Sequence, residues 1–145
     1  MLINRIQIAE IKRLSNYFPV LTITGPRQSG KTTICKAAFE TYSYINLEDL
    51  QKRELVASAP KSFLIENSKG LIIDEAHYLP ELFSFIQVLV DEDRSRRFVL
   101  TGSSNFSLMN KITQSLAGRV AILNLLPLSL SELGNEINRS ADNLM

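Results

Sequence analysis

The fold is decided by eight consecutive residues, Gly25-Pro26-Arg27-Gln28-Ser29-Gly30-Lys31-Thr32. They fit the phosphate-binding loop pattern G-x-x-x-x-G-K-[ST], in which glycines let several backbone N–H groups converge on one anion. The lysine of this pattern reaches the β- and γ-phosphates of a nucleotide, and the hydroxyl of the next residue is offered to Mg²⁺. We therefore predict that these residues, together with Thr33, bind a nucleotide, and that Thr32 is a metal ligand.

The residues on either side of the loop strengthen this interpretation. The apolar run 20–24 before it is typical of a buried strand, and residues 33–42 after it have the periodicity of a helix. A strand, a loop and a helix in this order are the setting that a phosphate-binding loop requires. The alternative is a glycine-rich turn without a ligand, and this setting disfavours it.

Length and composition indicate one ordinary globular domain. The chain has 145 residues, 45% of them hydrophobic, and its net charge of +1 favours neither nucleic acid nor a membrane surface as a partner. Its one cysteine, Cys35, cannot form an internal disulfide, which is compatible with a reducing cytoplasm. No signal peptide is visible, and the longest apolar run, 120–130, is too short to span a bilayer. We therefore expect a cytoplasmic protein with no membrane partner.

Apolar runs alternate with helical patterns along the chain, which predicts an α/β fold with a parallel sheet. Besides the strand 20–24, strands are predicted at 44–47, 71–73, 98–101 and 120–125. Besides the helix 33–42, helices are predicted at 3–17, 49–57, 60–67 and 81–92, and from Phe106 onward. The first helix has Ile8, Ile11 and Leu14 on one face, so we expect it to cover one side of the sheet.

Acidic residues follow two of the predicted strands. Asp74 and Glu75 come directly after the third strand, at the end that faces the ligand in an α/β sheet. Beside a nucleotide, Asp74 would hold Mg²⁺, and Glu75 would be the general base that takes a proton from the attacking water. Glu48 and Asp49 follow the second strand and leave two interpretations open, which are contact with Mg²⁺ or its waters and capping of the next helix.

Polar residues near the last two strands complete the candidate site. Ser103 and Ser104 follow the fourth strand, where they would reach the γ-phosphate or the attacking water, or would cap the helix that begins near Phe106. Arg119 directly precedes the fifth strand. It is either a surface residue or a catalytic arginine that acts on phosphate, within its own subunit or across a subunit interface.

Two further features are open to more than one interpretation. The residues Arg94, Arg96 and Arg97 close the helix 81–92, where cations are favourable, and no aromatic residue interleaves with them as in a surface that binds single-stranded nucleic acid. Nucleic acid is therefore a partner that the sequence does not support. His77 is either a structural hydrogen-bonding residue or a catalyst.

Taken together, these motifs make the chain resemble an AAA+ ATPase core. More closely, it resembles the AAA domain of a prokaryotic ATPase family that carries a C-terminal domain of unknown function. The first two of the motifs given next are shared by many ATPases, and the last three point to this family. The motifs are Gly-Pro-Arg-Gln-Ser-Gly-Lys-Thr-Thr (25–33), Ile-Ile-Asp-Glu-Ala-His (72–77), Leu-Thr-Gly-Ser-Ser (100–104), Ser-Leu-Ala-Gly-Arg (115–119) and Leu-Pro-Leu-Ser-Leu-Ser-Glu (126–132).

The resemblance implies a P-loop NTPase three-layer sandwich of the AAA+/ASCE type, with ATP and Mg²⁺ as cofactors. Its parallel sheet would have five strands, and the strand after the Walker B strand would lie between that strand and the phosphate-loop strand. Lys31 and Thr32 match the Walker A motif, and Asp74 and Glu75 match Walker B. Either Ser103 or Ser104 would be sensor 1, close to the γ-phosphate.

The family normally continues with a helical lid and a second domain, so the resemblance implies that the lid is missing here. We expect a single domain, 1–145, with an N-terminal helix (1–18), a nucleotide-binding core (19–126) and the start of a truncated C-terminal segment (127–145). The expected partners are a second copy of the chain, the missing C-terminal domain or another protein. Three hypotheses follow: Mg²⁺-dependent ATP hydrolysis, a nucleotide-binding switch with little turnover, and a remnant that folds but binds weakly.

Overall fold

The computed structural model describes residues 5–26, 30–102 and 106–125. The helices in these ranges are α1 (Arg5–Tyr17), α2 (Lys31–Ala38), α3 (Leu50–Ser58), α4 (Pro60–Glu66), α5 (Leu82–Glu92) and α6 (Phe106–Leu116). The strands are β1 (Val20–Thr24), β2 (Ser43–Asn46), β3 (Leu71–Asp74), β4 (Phe98–Gly102) and β5 (Val120–Asn124), and a short 3₁₀ turn, Ala76–Tyr78, follows β3.

These bounds agree closely with the predicted ones, except in α2. This helix begins at Lys31, inside the quoted loop, and ends at Ala38 rather than near residue 42. It ends early because Phe39 leaves the helical region and stacks its ring on Tyr42, with 4.6 Å between the ring centroids. The division of the chain at residues 18 and 126 stays a prediction, since residues 126–145 lie outside the described ranges.

The five strands form one parallel sheet in the order β2-β3-β4-β1-β5. Because β4 lies between β3 and β1, the predicted insertion of the strand after Walker B is confirmed. The register pairs Thr24 with Gly102 and with Asn124, and it pairs Asn46 with Asp74. All five strands run in the same direction, so these residues lie at one edge of the sheet, which we call the carboxyl edge.

Helices cover both faces of the sheet and produce the three expected layers. On one face, Ile11 of α1 and Ile34 of α2 are buried against the strands. On the other face, Phe83 of α5 and Ile112 of α6 have no exposed surface. Burial of one such side chain contributes about 1.5–3 kcal/mol, so packing of these apolar faces is the main term that holds the helices on the sheet. β1, β3 and β4 are buried on both faces, which explains why they read as apolar runs in the sequence.

Two features near the helix ends have clear local causes. The carboxylate of Asp49 accepts hydrogen bonds from the N–H groups of Gln51 and Lys52, at 3.0 and 3.3 Å, and so caps α3. This confirms the capping interpretation for Asp49. Arg96 lies just past α5 and donates to the carbonyl oxygen of Leu89 at 2.8 Å, as expected for a cation at a helix C-terminus.

Within the described ranges, none of the helices is long and apolar enough to cross a membrane.

Candidate functional site

The loop between β1 and α2 lies at the carboxyl edge, where the sequence places the phosphate-binding site. The N–H group of Gly25 donates to the carbonyl oxygen of Gly102 at 3.3 Å, which joins the start of this loop to the end of β4. Gly30 has a left-handed backbone (φ 82°, ψ 18°) and precedes the first turn of α2, so the N–H groups of that turn face the loop. A helix N-terminus of this kind favours an anion. Arg27, Gln28 and Ser29 lie outside the described residues.

Lys31 is buried, with 5% of its surface exposed, although it carries a charge. Its Nζ donates to the carbonyl oxygen of Gly25 at 2.6 Å and contacts that of Pro26 at 3.4 Å. Ammonium groups are rarely this buried without an anion to balance them, because removing the charge from water is costly. The arrangement therefore brings a positive charge into the loop that the motif assigns to phosphate.

Asp74 ends β3 and is surrounded by hydroxyl donors from three other parts of the chain. Its Oδ2 accepts from Thr32 Oγ1 at 2.8 Å and from the Tyr44 hydroxyl at 2.5 Å, and its Oδ1 accepts from Thr101 Oγ1. Burial alone would raise the pKa of Asp74, but these three hydroxyl groups and the charge of Lys31 outweigh it and lower that pKa below its ordinary value. Asp74 is therefore a carboxylate at neutral pH.

The residues around Asp74 fit a magnesium ion that is held together with nucleotide phosphates. Mg²⁺ prefers oxygen ligands and is commonly bound through one or two carboxylates plus the substrate phosphates. An ionised carboxylate and the Thr32 hydroxyl supply such oxygens, and they already touch each other across 42 residues of sequence. Within the described ranges, no group of three or more His, Cys, Asp or Glu residues could hold a metal ion by itself. A magnesium ion bound here would take its remaining ligands from phosphate and water oxygens.

Glu75 directly follows Asp74 and has the only positive φ of a non-glycine residue in the part of the chain that the structure describes (φ 56°, ψ 49°). This left-handed conformation costs about 1–2 kcal/mol, so contacts in the surrounding structure must hold it in place. The N–H group of Glu75 donates to Thr101 Oγ1 at 3.2 Å, which holds the backbone in place. The side chain is 18% exposed, so its carboxylate remains accessible to water.

His77 lies beside Glu75. Its Nε2 is 3.7 Å from Glu75 Oε2, and its ring is tilted against that of Tyr78. Its Nδ1 is buried and has no hydrogen-bond partner among the residues described. This position is compatible with both interpretations of His77, the structural one and the catalytic one.

Two candidate residues of the sequence analysis, Ser103 and Ser104, lie outside the described residues. The last described residue before them, Gly102, pairs with Thr24 at the carboxyl edge. The assignment of sensor 1 to one of these serines stays a prediction. Thr33, the last residue assigned to nucleotide binding, is exposed on α2.

Arg119 lies at the edge of the sheet where the strands begin, which is opposite the carboxyl edge. Its carbonyl oxygen accepts from the N–H of Val20 at the first residue of β1, whereas the phosphate-binding loop follows the last. Five strand residues at about 3.3 Å each separate the two edges by about 16 Å. Nε and Nη2 of Arg119 donate to the two carboxylate oxygens of Asp91, at 2.7 and 2.8 Å, and these bonds lower the pKa of Asp91. Catalysis by Arg119 on a phosphate held in its own subunit does not fit this position.

The sequence analysis missed two residues of the site, Tyr44 and Thr101. Both were assigned only to strands, and both place a hydroxyl on Asp74. A signal for Thr101 was present, since it is a polar residue at the end of an otherwise apolar strand. Tyr44 carried no such signal, because tyrosine is common in strands and a sequence pattern does not show that its hydroxyl has a special partner.

A family model described as "AAA domain" matches residues 17–134, which is most of the chain. The chain belongs to the AAA domain family. The recognition of an AAA+ P-loop ATPase core in the sequence is thereby confirmed.

Two relatives of this AAA domain are uncharacterized proteins. One, from Mycobacterium tuberculosis, is 33% identical over 129 residues that cover 88% of this chain. The other, from Methanocaldococcus jannaschii, is 32% identical over 133 residues that cover 85% of this chain. The AAA domain spans 29% of the length of each relative.

Solved structures share the fold of this AAA domain at low sequence identity. A STAND-class signal transduction ATPase with a tetratricopeptide repeat sensor, from Pyrococcus horikoshii, gives a TM-score of 0.55 at 16% identity, over 86% of this chain and 23% of that one. A Walker-type ATPase of Pyrococcus abyssi gives 0.56 at 16% identity, over 87% and 53%. RuvB of Thermotoga maritima gives 0.50 at 21% identity, over 84% and 43%. These likenesses confirm the predicted α/β P-loop fold.

Proposed function

We propose that this AAA domain binds ATP and hydrolyses it with the help of Mg²⁺. The observation that carries the proposal is the contact between Thr32 and Asp74, 2.8 Å long, beside the buried ammonium of Lys31. A positive charge, a hydroxyl and an ionised carboxylate meet there at a helix N-terminus, which is the set of groups that phosphoryl-transfer sites of this class use.

The roles of the residues follow from their positions. Lys31 would exchange its bonds to the loop carbonyls for phosphate oxygens, and Thr32 and Asp74 would hold the metal ion. Magnesium, when bound, supplies positive charge to the phosphate oxygens during transfer. Glu75 would take the proton of the attacking water, because its side chain is the accessible carboxylate next to Asp74 and its backbone is fixed by Thr101. Ser103 or Ser104 would contact the γ-phosphate, and Arg119 would act only on a phosphate of another subunit.

A first experiment tests binding. Titration calorimetry with ATP and Mg²⁺ compares the wild type with Lys31→Ala. The loss of one charge-assisted hydrogen bond, about 1.5–3 kcal/mol, predicts at least a tenfold rise in Kd. The matched control is Lys69→Ala, which removes an exposed lysine before β3 and should leave Kd unchanged. Equal affinity of Lys31→Ala and the wild type would refute the proposal.

A second experiment tests turnover. Glu75→Gln keeps the shape of the side chain but cannot take a proton, so phosphate release should fall by about 10²-fold or more while Kd changes little. Glu66→Gln, an exposed position on α4, is the control and should hydrolyse ATP at the wild-type rate. If the wild type binds ATP but releases no phosphate, the domain is a nucleotide-binding switch and the hydrolytic part of the proposal is refuted.

A further inference from the structure

The oxygen Oδ2 of Asp74 accepts two hydroxyl groups at once. Thr32 donates from α2 at 2.8 Å, and Tyr44 donates from β2 at 2.5 Å. The Tyr44 bond lies at the short end of the range for a hydroxyl on a carboxylate, about 2.5–2.7 Å. Each oxygen of a carboxylate has about two lone-pair sites, so Oδ2 is saturated.

Tyr44 is held in this position by its surroundings. Its backbone pairs with Ile72, two residues before Asp74, so its ring leans along the strand towards the carboxyl edge. The ring packs against the buried core on the α1–α2 face. The ammonium of Lys36, an exposed residue of α2, lies 4.0 Å from the ring centroid. The ring is therefore fixed by packing, while its hydroxyl adds only the bond to Asp74 among the contacts described.

We propose that the Tyr44 hydroxyl competes with magnesium for Asp74 Oδ2, so that Tyr44 sets how strongly nucleotide binding depends on Mg²⁺. This inference rests on the proposed nucleotide-binding function. A cation at Oδ2, or a water molecule bound to that cation, needs one of the two lone-pair sites that the hydroxyls fill. Thr32 is the group that the loop motif assigns to the metal, and it can keep its proton on Asp74 while its oxygen binds the ion. Tyr44 is therefore the donor that gives way, and it acts through Asp74 as a positioning residue.

The test compares Tyr44→Phe with the wild type, since phenylalanine keeps the ring and its packing. Calorimetry gives the Kd of ADP with and without Mg²⁺, and ADP avoids turnover during the measurement. The ratio of the two constants, without over with Mg²⁺, should rise at least about threefold in Tyr44→Phe, because the charge-assisted bond from the Tyr44 hydroxyl to Asp74 no longer opposes the ion. The control is Tyr42→Phe, whose ring stacks on Phe39 and lies next to Gly70, away from Asp74.

The outcomes separate the inference from the function on which it rests. An unchanged ratio in Tyr44→Phe would overturn the competition. A lower ratio would overturn it too, because it would mean that the hydroxyl keeps its bond and supports the metal ligand. If the wild type binds no ADP under either condition, the proposed function fails and the inference fails with it.

A spectroscopic readout gives a second, independent test. The chain has four tyrosines and no tryptophan, so its near-ultraviolet absorption above the phenylalanine bands comes from tyrosine. Magnesium added to protein that is saturated with ADP should produce a tyrosine difference spectrum as the Tyr44 hydroxyl leaves the carboxylate. The same addition to Tyr44→Phe should produce none, and Tyr42→Phe should behave as the wild type. A wild-type difference spectrum that persists in Tyr44→Phe would overturn the assignment.

Discussion

Two buried threonines on neighbouring strands offer a sharp test of the hydrogen bonds that organise the site. Thr101 of β4 and Thr22 of β1 are each 1% exposed. The Thr101 hydroxyl donates to Asp74 and accepts from the N–H of Glu75. Thr22 Oγ1 has no hydrogen-bond partner within the described ranges. Replacement of each threonine by valine keeps the shape of the side chain and puts a methyl group in place of the hydroxyl. The two variants should therefore change the free energy of unfolding in opposite directions.

The magnitudes follow from what each hydroxyl does. Thr101→Val loses a bond to an ionised acceptor, about 1.5–3 kcal/mol, and leaves the Glu75 N–H without its partner. Some of this loss is offset because no hydroxyl is buried in the variant, so the free energy of unfolding should fall by about 2–4 kcal/mol. Thr22→Val removes a buried hydroxyl that makes no bond, and the free energy of unfolding should rise by about 1 kcal/mol.

Urea unfolding followed by circular dichroism measures both effects. With a slope near 2 kcal/mol/M, within the usual range of about 1–3, the midpoint should fall by about 1–2 M in Thr101→Val and rise by about 0.5 M in Thr22→Val. The slope should stay the same in both variants. An unchanged slope shows that the substitution alters stability and not the surface area that unfolding exposes. Equal midpoints for the two variants, or a midpoint for Thr22→Val below that of the wild type, would refute the reasoning. It would mean that the hydrogen bonds of Thr101 do not make its hydroxyl more stabilising than that of Thr22.

Three further predictions concern other parts of the molecule. In Gly70→Ala, the new Cβ would lie 2.3 Å from the Tyr42 ring, so the ring must move and the free energy of unfolding should fall by about 1–3 kcal/mol in the same urea experiment. Burial raises the pKa of the Cys35 thiol to about 12, so at pH 8 the native protein should react with a thiol reagent at least about 100-fold more slowly than the urea-unfolded protein. Arg119→Ala should bind ADP with the wild-type Kd in calorimetry, because Arg119 lies at the edge away from the loop, and a weaker Kd would contradict the position argued for it.

Much of the fold was predictable because its signals are local. An apolar run, a loop with fixed glycines and a helix follow each other within residues 20–38, and the loop pattern carries its chemistry with it. Strands β1, β3 and β4 are short apolar runs because they are buried on both faces, so the sequence reveals them without reference to a partner strand. The strand order is not local, and it was predicted only through the resemblance to a family.

The hydroxyl groups around Asp74 show where local signals end. Thr101 is 27 residues away from Asp74 and Tyr44 is 30 residues away, and each reaches it from a different neighbouring strand. Only the order β2-β3-β4 puts β3 between them. A pattern along one segment cannot reveal such a pair, since the residue types that supply the donors, threonine and tyrosine, are also ordinary strand residues. The loop motif identifies Thr32 as a residue of the site, but the other two hydroxyl contacts of Asp74 can be found only from the order of the strands.

Arg119 illustrates the same limit from the opposite direction. The motif at residues 115–119 places an arginine directly before a strand, and in sequence this is as close to β5 as Ser103 is to β4. In a parallel sheet, however, residues before strands and residues after strands lie at opposite edges, and the register of β1 with β5 fixes which edge Arg119 occupies. Its guanidinium is paired there with Asp91 of α5. A phosphate that Arg119 contacts must therefore belong to another molecule, so a catalytic role for this residue requires an assembly in which its edge faces the carboxyl edge of a second subunit.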